Sequence, residues 1–175
     1  MKDLINIPNI ISASRLLFSY IIFILLKNFK SNQYLIFINY LVCCYTDYLD
    51  GYFARKLNMQ TTFGKFFDGF IDYLVTSILF ILFYCKNLIS VNHFMFLILI
   101  IIRDTIRNYK RINDMISDKI DEKKISASYL GKISRVIQNI YLSVVILYPN
   151  NFNLIKSILV YLSTITSLSS FFNYL

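Results

Sequence analysis

Asp47-Tyr48-Leu49-Asp50-Gly51-Tyr52-Phe53-Ala54-Arg55, followed after eight residues by Gly64, Asp68 and Asp72, carries most of the information in this chain. Two of its carboxylates leave one apolar segment and two enter the next. Spacings of three and four set each pair on one helical face, and the short connection between the segments brings both pairs to similar depth, able to face each other. Ionisable groups inside membrane helices are costly and therefore mark function. Four carboxylates so close repel, and some stay protonated unless cations compensate. Hard oxygen donors suit Mg²⁺ or Mn²⁺, which also take substrate phosphates as partners, and two-metal phosphoryl transfer follows. Gly51 and Ala54 leave room for a nucleotide or diphosphate to approach the backbone beside Asp50. Arg55 supplies a planar fork for phosphate, and Gly64 lets two helices come close.

The surrounding composition places this cluster in a bilayer. Of 175 residues, 57% are hydrophobic and only 16% charged, unlike an ordinary soluble domain. Six hydrophobic segments, about 10–29, 34–49, 66–84, 91–109, 129–148 and 154–172, are long enough or nearly long enough to cross hydrocarbon as helices. The expected architecture is an all-α integral membrane bundle of six transmembrane helices, one membrane-embedded catalytic domain over residues 1–175. Polar residues at 28–32, 86–90 and 149–153 punctuate the segments, and the longer connections are 51–65 and 110–124. The start has no cationic region leading to a small-residue cleavage site, so the first apolar run is expected to remain as a helix.

A net charge of +8 does not indicate nucleic acid, because the basic residues lie between apolar runs and form no stripe with interleaved aromatics. They set orientation instead. Lys2, Arg55, Lys56, Lys65, Arg107, Lys110, Arg111, Lys119, Lys123 and Lys124 gather on one side, against Lys27, Lys30, Lys86 and Lys156 on the other. Both termini and the 51–65 connection are predicted to be cytoplasmic. Cys43, Cys44 and Cys85 lack zinc-site spacing and are expected to pack in the core or face lipid. His93 is expected at the membrane interface and not as a ligand. No Ser/His/Asp arrangement, Walker loop or dinucleotide glycine pattern occurs.

The central stretch resembles the D-x2-D-G-x2-A-R-x8-G-x3-D-x3-D motif of the CDP-alcohol phosphatidyltransferases at all eight fixed positions. Ordinary composition would produce it on the order of once in 10⁹ to 10¹⁰ starting points. The resemblance implies a six-helix fold, usually homodimeric, with two ions, Mg²⁺ or Mn²⁺, held by Asp47, Asp50, Asp68 and Asp72. It also implies Asp72 as the base for the attacking hydroxyl, and Gly51, Ala54 and Arg55, with Gly64 nearby, around the CDP moiety. CDP-diacylglycerol and membrane lipids are the implied partners.

Flanking residues resemble the phosphatidylglycerophosphate synthase branch and the related CDP-dependent cardiolipin synthases. Asn6-Ile7-Pro8-Asn9-Ile10 with Ser12 and Arg15 matches their opening, Arg103-Asp104 with Arg111 their fourth-helix end, and Leu130-Gly131-Lys132 with Gln138 the start of their fifth helix. Gly69, Tyr73 and Ser134-Arg135 depart from that pattern. Arg103, Arg111 and Lys132 are the expected ligands of a phosphate-bearing acceptor, glycerol 3-phosphate, with Arg107 and Arg135 beside them. Arg15, inside the first segment, either serves the site or snorkels to the surface. Asp104 is nearer the cardiolipin-synthase form, with phosphatidylglycerol as acceptor, whereas the Arg111 spacing favours glycerol 3-phosphate. A non-enzymatic alternative is a cation carrier, but a carrier keeps its ionisable groups near the midplane, whereas these acids lie at helix ends beside Arg55.

Overall fold

The computed structural model describes residues 6–116 and 129–172. Lys2 in the amino-terminal tail, Lys119, Lys123 and Lys124 in the fourth connection, and the last three residues lie outside the described residues. Among those described, the chain forms α1 (Ile7–Leu25), a 3-10 turn (Leu26–Asn28), α2 (Phe29–Lys56), α3 (Thr62–Cys85), α4 (Val91–Ile116), α5 (Tyr129–Leu147) and α6 (Asn153–Phe172), with no strand.

Four stretches, Ile7–Lys56, Thr62–Cys85, Tyr129–Leu147 and Asn153–Phe171, are long and apolar enough to cross a membrane, and the first holds two helices. The protein is an all-α, multi-pass membrane protein. α4 is not among these stretches, because its apolar first half runs straight into Arg103, Asp104 and Arg107, all of which are buried. The chain divides between Leu79 and Phe80 into two compact units, with α3 running from the first into the second.

In the first unit, α1 and α2 fold back along each other. Pro8 sits in the opening turn of α1, where no backbone N–H is required of it. The polar residues near position 30 do not break the helices as expected. Lys30, Ser31 and Asn32 lie inside α2, and the reversal is confined to the 3-10 turn, closed by Asn32 Nδ2 donating to the Leu25 carbonyl at 3.2 Å. Ile22, Leu26, Ile36, Tyr40 and Cys43 are buried.

The connection between α2 and α3 is much shorter than the expected 51–65. Gly51 through Lys56 continue α2, whose last turn carries Arg55 and Lys56, cations that suit the negative end of the helix dipole. The stop comes at Asn58, left-handed at φ 53°. There Asn58 N–H donates to the Arg55 carbonyl (3.3 Å) and Met59 N–H to that of Ala54 (3.0 Å), a Schellman termination in which asparagine replaces the usual glycine. Asn87 (φ 58°) ends α3 in the same way, through Asn87 to Tyr84 and Leu88 to Phe83 bonds of 2.9 Å each. α3 begins at Thr62, where Thr61 Oγ1 accepts from Gly64 N–H at 2.9 Å.

In the second unit α4, α5 and α6 pack on one another, and much of their buried surface is polar: His93, Arg103, Asp104, Gln138 and the serines of α6. Large apolar side chains such as Leu154, Ile165 and Val136 point outward, the arrangement expected when the surrounding solvent is hydrocarbon. Ser163, Ser167 and Ser170 form a buried small-residue face of α6, which permits close helix approach. His93, in the opening turn of α4, is buried here. Its Nε2 lies 2.9 Å from Ser157 Oγ, and its ring meets that of Tyr141 edge-on, joining all three helices. Cys43 is buried, Cys44 half-buried and Cys85 exposed, all as free thiols.

Candidate functional site

The spacings in α2 and α3 have the predicted consequence. Asp47, Asp50, Asp68 and Asp72 converge, although they come from two helices joined only by residues 57–61. Asp50 is buried; the other three side chains are partly open, at 42%, 39% and 21% exposure for Asp47, Asp68 and Asp72. Asp50 thus forms the closed side of the cluster, and the other three acids its open side. Carboxylate oxygens of Asp47, Asp50 and Asp68 lie within 4.8 Å of one another. Octahedral ligands of Mg²⁺, at about 2.1 Å from the ion, stand roughly 3.0 to 4.2 Å apart, so these oxygens would have to draw closer together to hold a divalent ion. The oxygen-only donor set also fits Mg²⁺ or Mn²⁺.

α1 closes the cluster from the other side. Ser12 Oγ donates to Asp50 Oδ2 at 2.6 Å. Arg15, only 2% exposed, extends its guanidinium into the middle of the acids. Nη1 donates to Asp47 at 2.7 Å and to Asp72, and Nη2 to Asp50 at 2.8 Å and to Asp68. Of the two roles open to Arg15, snorkelling is therefore excluded. The sequence linked the Asn6–Arg15 opening to the choice of acceptor. Two of its side chains, Ser12 and Arg15, also bond the carboxylate cluster, and the clue to this was their spacing, which puts them on one face of α1 three residues apart.

The glycines have distinct tasks. A β-carbon on Gly64 would lie 3.0 Å from Thr61 Oγ1 and 3.2 Å from Asn9 Oδ1, so Gly64 lets the start of α3 approach α1, as its spacing suggested. A β-carbon on Gly51 would meet only the Arg55 guanidinium, at 3.4 Å. Arg55, exposed and one turn on, lies over the bare backbone at Gly51, with half-buried Ala54 next to it.

The second unit holds the other predicted residues. Arg103 is committed internally: Nε and Nη2 donate to the Ser167 carbonyl at 3.1 and 2.8 Å, Nη2 also to Ser170 Oγ, and Nη1 to Asp104. It ties α4 to α6. Arg107 also pairs with Asp104, at 3.3 Å. Arg111 is buried, Arg135 half-buried and Lys132 exposed. Asp104 is thus the shared acidic partner of Arg103 and Arg107, while Arg107 Nε and both amide atoms of buried Asn108 find no hydrogen-bond partner among the described residues. Asn108 carried no motif signal and was not anticipated.

Comparison with known proteins agrees with this geometry. The CDP-diacylglycerol–glycerol-3-phosphate 3-phosphatidyltransferase of Aquifex aeolicus is 42% identical over 73 residues, 41% of this chain and 39% of that protein. The Bacillus subtilis protein of the same name is 50% identical over 38 residues, 22% and 20% of the two chains. These alignments span well under two thirds of the relatives' lengths. A longer match, to the Haemophilus influenzae protein of that name, is 25% identical over 176 residues, 97% of this chain and 91% of the relative. A family model described as CDP-alcohol phosphatidyltransferase matches residues 5–169, and with the motif acids converged as that chemistry requires, the chain belongs to the CDP-alcohol phosphatidyltransferase family.

Proposed function

We propose that this protein transfers the phosphatidyl group of CDP-diacylglycerol to glycerol 3-phosphate, forming phosphatidylglycerophosphate and releasing CMP. The observation that carries the proposal is the convergence of Asp47, Asp50, Asp68 and Asp72 beside Gly51 and Arg55. The names of the relatives support the same acceptor.

Two divalent ions, Mg²⁺ or Mn²⁺, held by the four aspartates would neutralise the diphosphate and stabilise CMP as leaving group. Arg55 swings from its position over Gly51 to pair with phosphate, and the bare backbone at Gly51 and Ala54 receives the nucleotide. Asp72 takes the proton of the acceptor hydroxyl as that oxygen attacks the lipid-linked phosphorus. A bond forms from that phosphorus to the acceptor oxygen, and its bond to the CMP oxygen breaks. Arg111 and Lys132 hold the acceptor phosphate, with Arg107 and Asn108 as further donors left open in the same unit. Arg103 shapes that pocket by tying α4 to α6.

The proposed setting is a single membrane-embedded domain of six spans, α4 crossing with its charges turned inward, acting as a homodimer with the active site and both termini at the cytoplasmic face. The test is direct. Purified protein given CDP-diacylglycerol should release CMP with glycerol 3-phosphate, and poorly with phosphatidylglycerol, serine or inositol. Faster CMP release with phosphatidylglycerol, giving cardiolipin, would move the protein to the cardiolipin-synthase branch; no CMP release with any acceptor would refute the enzymatic reading.

A further inference from the structure

We propose that Arg15 is the resident counter-ion of the carboxylate cluster: its guanidinium holds Asp47, Asp50, Asp68 and Asp72 together while no divalent ion is bound and yields its place when one enters. This inference rests on the metal reading above.

A guanidinium carries five N–H donors in one plane, and Arg15 uses them all. Nε donates to the Ser12 carbonyl of its own helix at 3.3 Å. Each terminal nitrogen then takes one carboxylate from α2 and one from α3: Nη1 binds Asp47 and Asp72, and Nη2 binds Asp50 and Asp68. The side chain is therefore the cross-tie between the two acid pairs. Without it, four carboxylates at the mouth of two helices would drive each other apart. Ser12, which bonds Asp50, braces the same arrangement from one turn away.

One positive charge leaves the four acids undercompensated if all are ionised, so the cluster still attracts cations. A divalent ion must bind the carboxylates that Arg15 already occupies, at about 2.1 Å from their oxygens. A guanidinium in van der Waals reach of that ion meets strong like-charge repulsion at low dielectric. Binding is thus an exchange, and Arg15 acts as a positioning residue: it pre-assembles the ligand geometry and weakens the apparent metal affinity. Stability of the metal-free protein and affinity for the metal then respond to Arg15 in opposite directions.

That opposition is the test. Mn²⁺ is titrated into the purified protein in lipid nanodiscs, following free Mn²⁺ by its electron paramagnetic resonance signal, and thermal unfolding of EDTA-treated protein is measured in parallel. Arg15→Ala should bind Mn²⁺ tighter than wild type by about tenfold or more, because no buried ion pairs need to be broken first, while its metal-free form unfolds at lower temperature. Arg15→Lys, with a compact charge that cannot span both pairs, should fall between. A purely structural role would lower stability with unchanged or weaker Mn²⁺ affinity, and that result overturns the proposal. If Arg15→Ala does not fold without metal, Arg15→Lys decides: affinity at or below wild type refutes the exchange. Wild-type protein that binds no Mn²⁺ would overturn the metal reading and this inference together; wild-type binding left unchanged in both variants overturns the counter-ion role alone.

Discussion

Replacing Gly51 by alanine separates folding from catalysis at a single carbon atom. In the helix interior glycine costs roughly 0.5–1 kcal/mol relative to alanine. The added β-carbon would touch only Arg55 Nη1, at 3.4 Å, the far end of a flexible and exposed side chain that can give way. Gly51→Ala should therefore leave the fold as stable as wild type or raise its unfolding midpoint by about 1–4 °C. The nucleotide has no such freedom, because it is expected against the backbone at this position. Forcing one methyl group into a filled contact costs about 1–3 kcal/mol, which corresponds to a loss of roughly 5- to 150-fold in kcat/KM for the CDP-lipid. Both quantities are measured on one preparation, by thermal unfolding in detergent and by CMP release. Gly64→Ala is the control of opposite kind, since its β-carbon would meet Thr61 Oγ1 at 3.0 Å and Asn9 Oδ1 at 3.2 Å, and it should lose stability. CMP release by Gly51→Ala within about twofold of wild type would refute the nucleotide's proposed seat.

The other expectations concern charge. Asp72→Asn should lower kcat by on the order of 10²–10⁴-fold, as for removal of a general base, and Asp68→Asn should also abolish most turnover, with helix content unchanged by circular dichroism because neutral asparagine is cheaper to hold in the membrane; near-wild-type turnover in both would sink the two-metal scheme. EDTA should stop CMP release, and Mg²⁺ or Mn²⁺ should restore it. Arg111→Ala should raise the glycerol 3-phosphate KM by roughly 10- to 150-fold with little change in the CDP-lipid KM, the loss of one charge-assisted contact to one substrate. Arg103→Ala should instead lower folded yield and thermal stability by about 3–5 kcal/mol, because it breaks a buried ion pair and the tie to Ser167. Reporters placed after Leu175 and near Asp118 should face the cytoplasm and one inserted at 86–90 the opposite side; a carboxyl terminus on the far side would mean the span count is wrong.

The parts of the site legible in the sequence are those fixed by helical periodicity. Asp47 with Asp50, and Asp68 with Asp72, needed only spacings of three and four, and Gly64 only its place one turn before Asp68. The rest depends on partners distant in the chain. Arg15 meets acids 32 to 57 residues away, and no local pattern distinguishes an arginine that turns inward from one that reaches for the surface. Arg103 read as a substrate ligand because the Ser167 carbonyl that engages it is 64 residues on. The extent of α2 was obscured by Gly51, which suggested a loop, although Asn58 is the residue that ends the helix. Asn108 was invisible because its burial beside Arg107 depends on its surroundings and not on any local pattern.

The early turn at Asn58 also sets a depth gauge for the chemistry. Asp50 lies six residues before the end of α2 at Lys56, and Asp68 six after the start of α3 at Thr62, which at 1.5 Å per residue puts both carboxylates about 9 Å below the connecting turn. The polar layer of one leaflet is roughly 5–8 Å thick. If residues 57–61 lie at the water's edge, Asp50 and Asp68 stand at the floor of the headgroup layer and Asp47 and Asp72 about one turn deeper, the level at which the proposed lipid donor would carry its diphosphate. The proposed reaction between an oily donor and a water-soluble acceptor would then need no lipid extraction: the donor would arrive sideways, the acceptor from above, and CMP would depart by the acceptor's route.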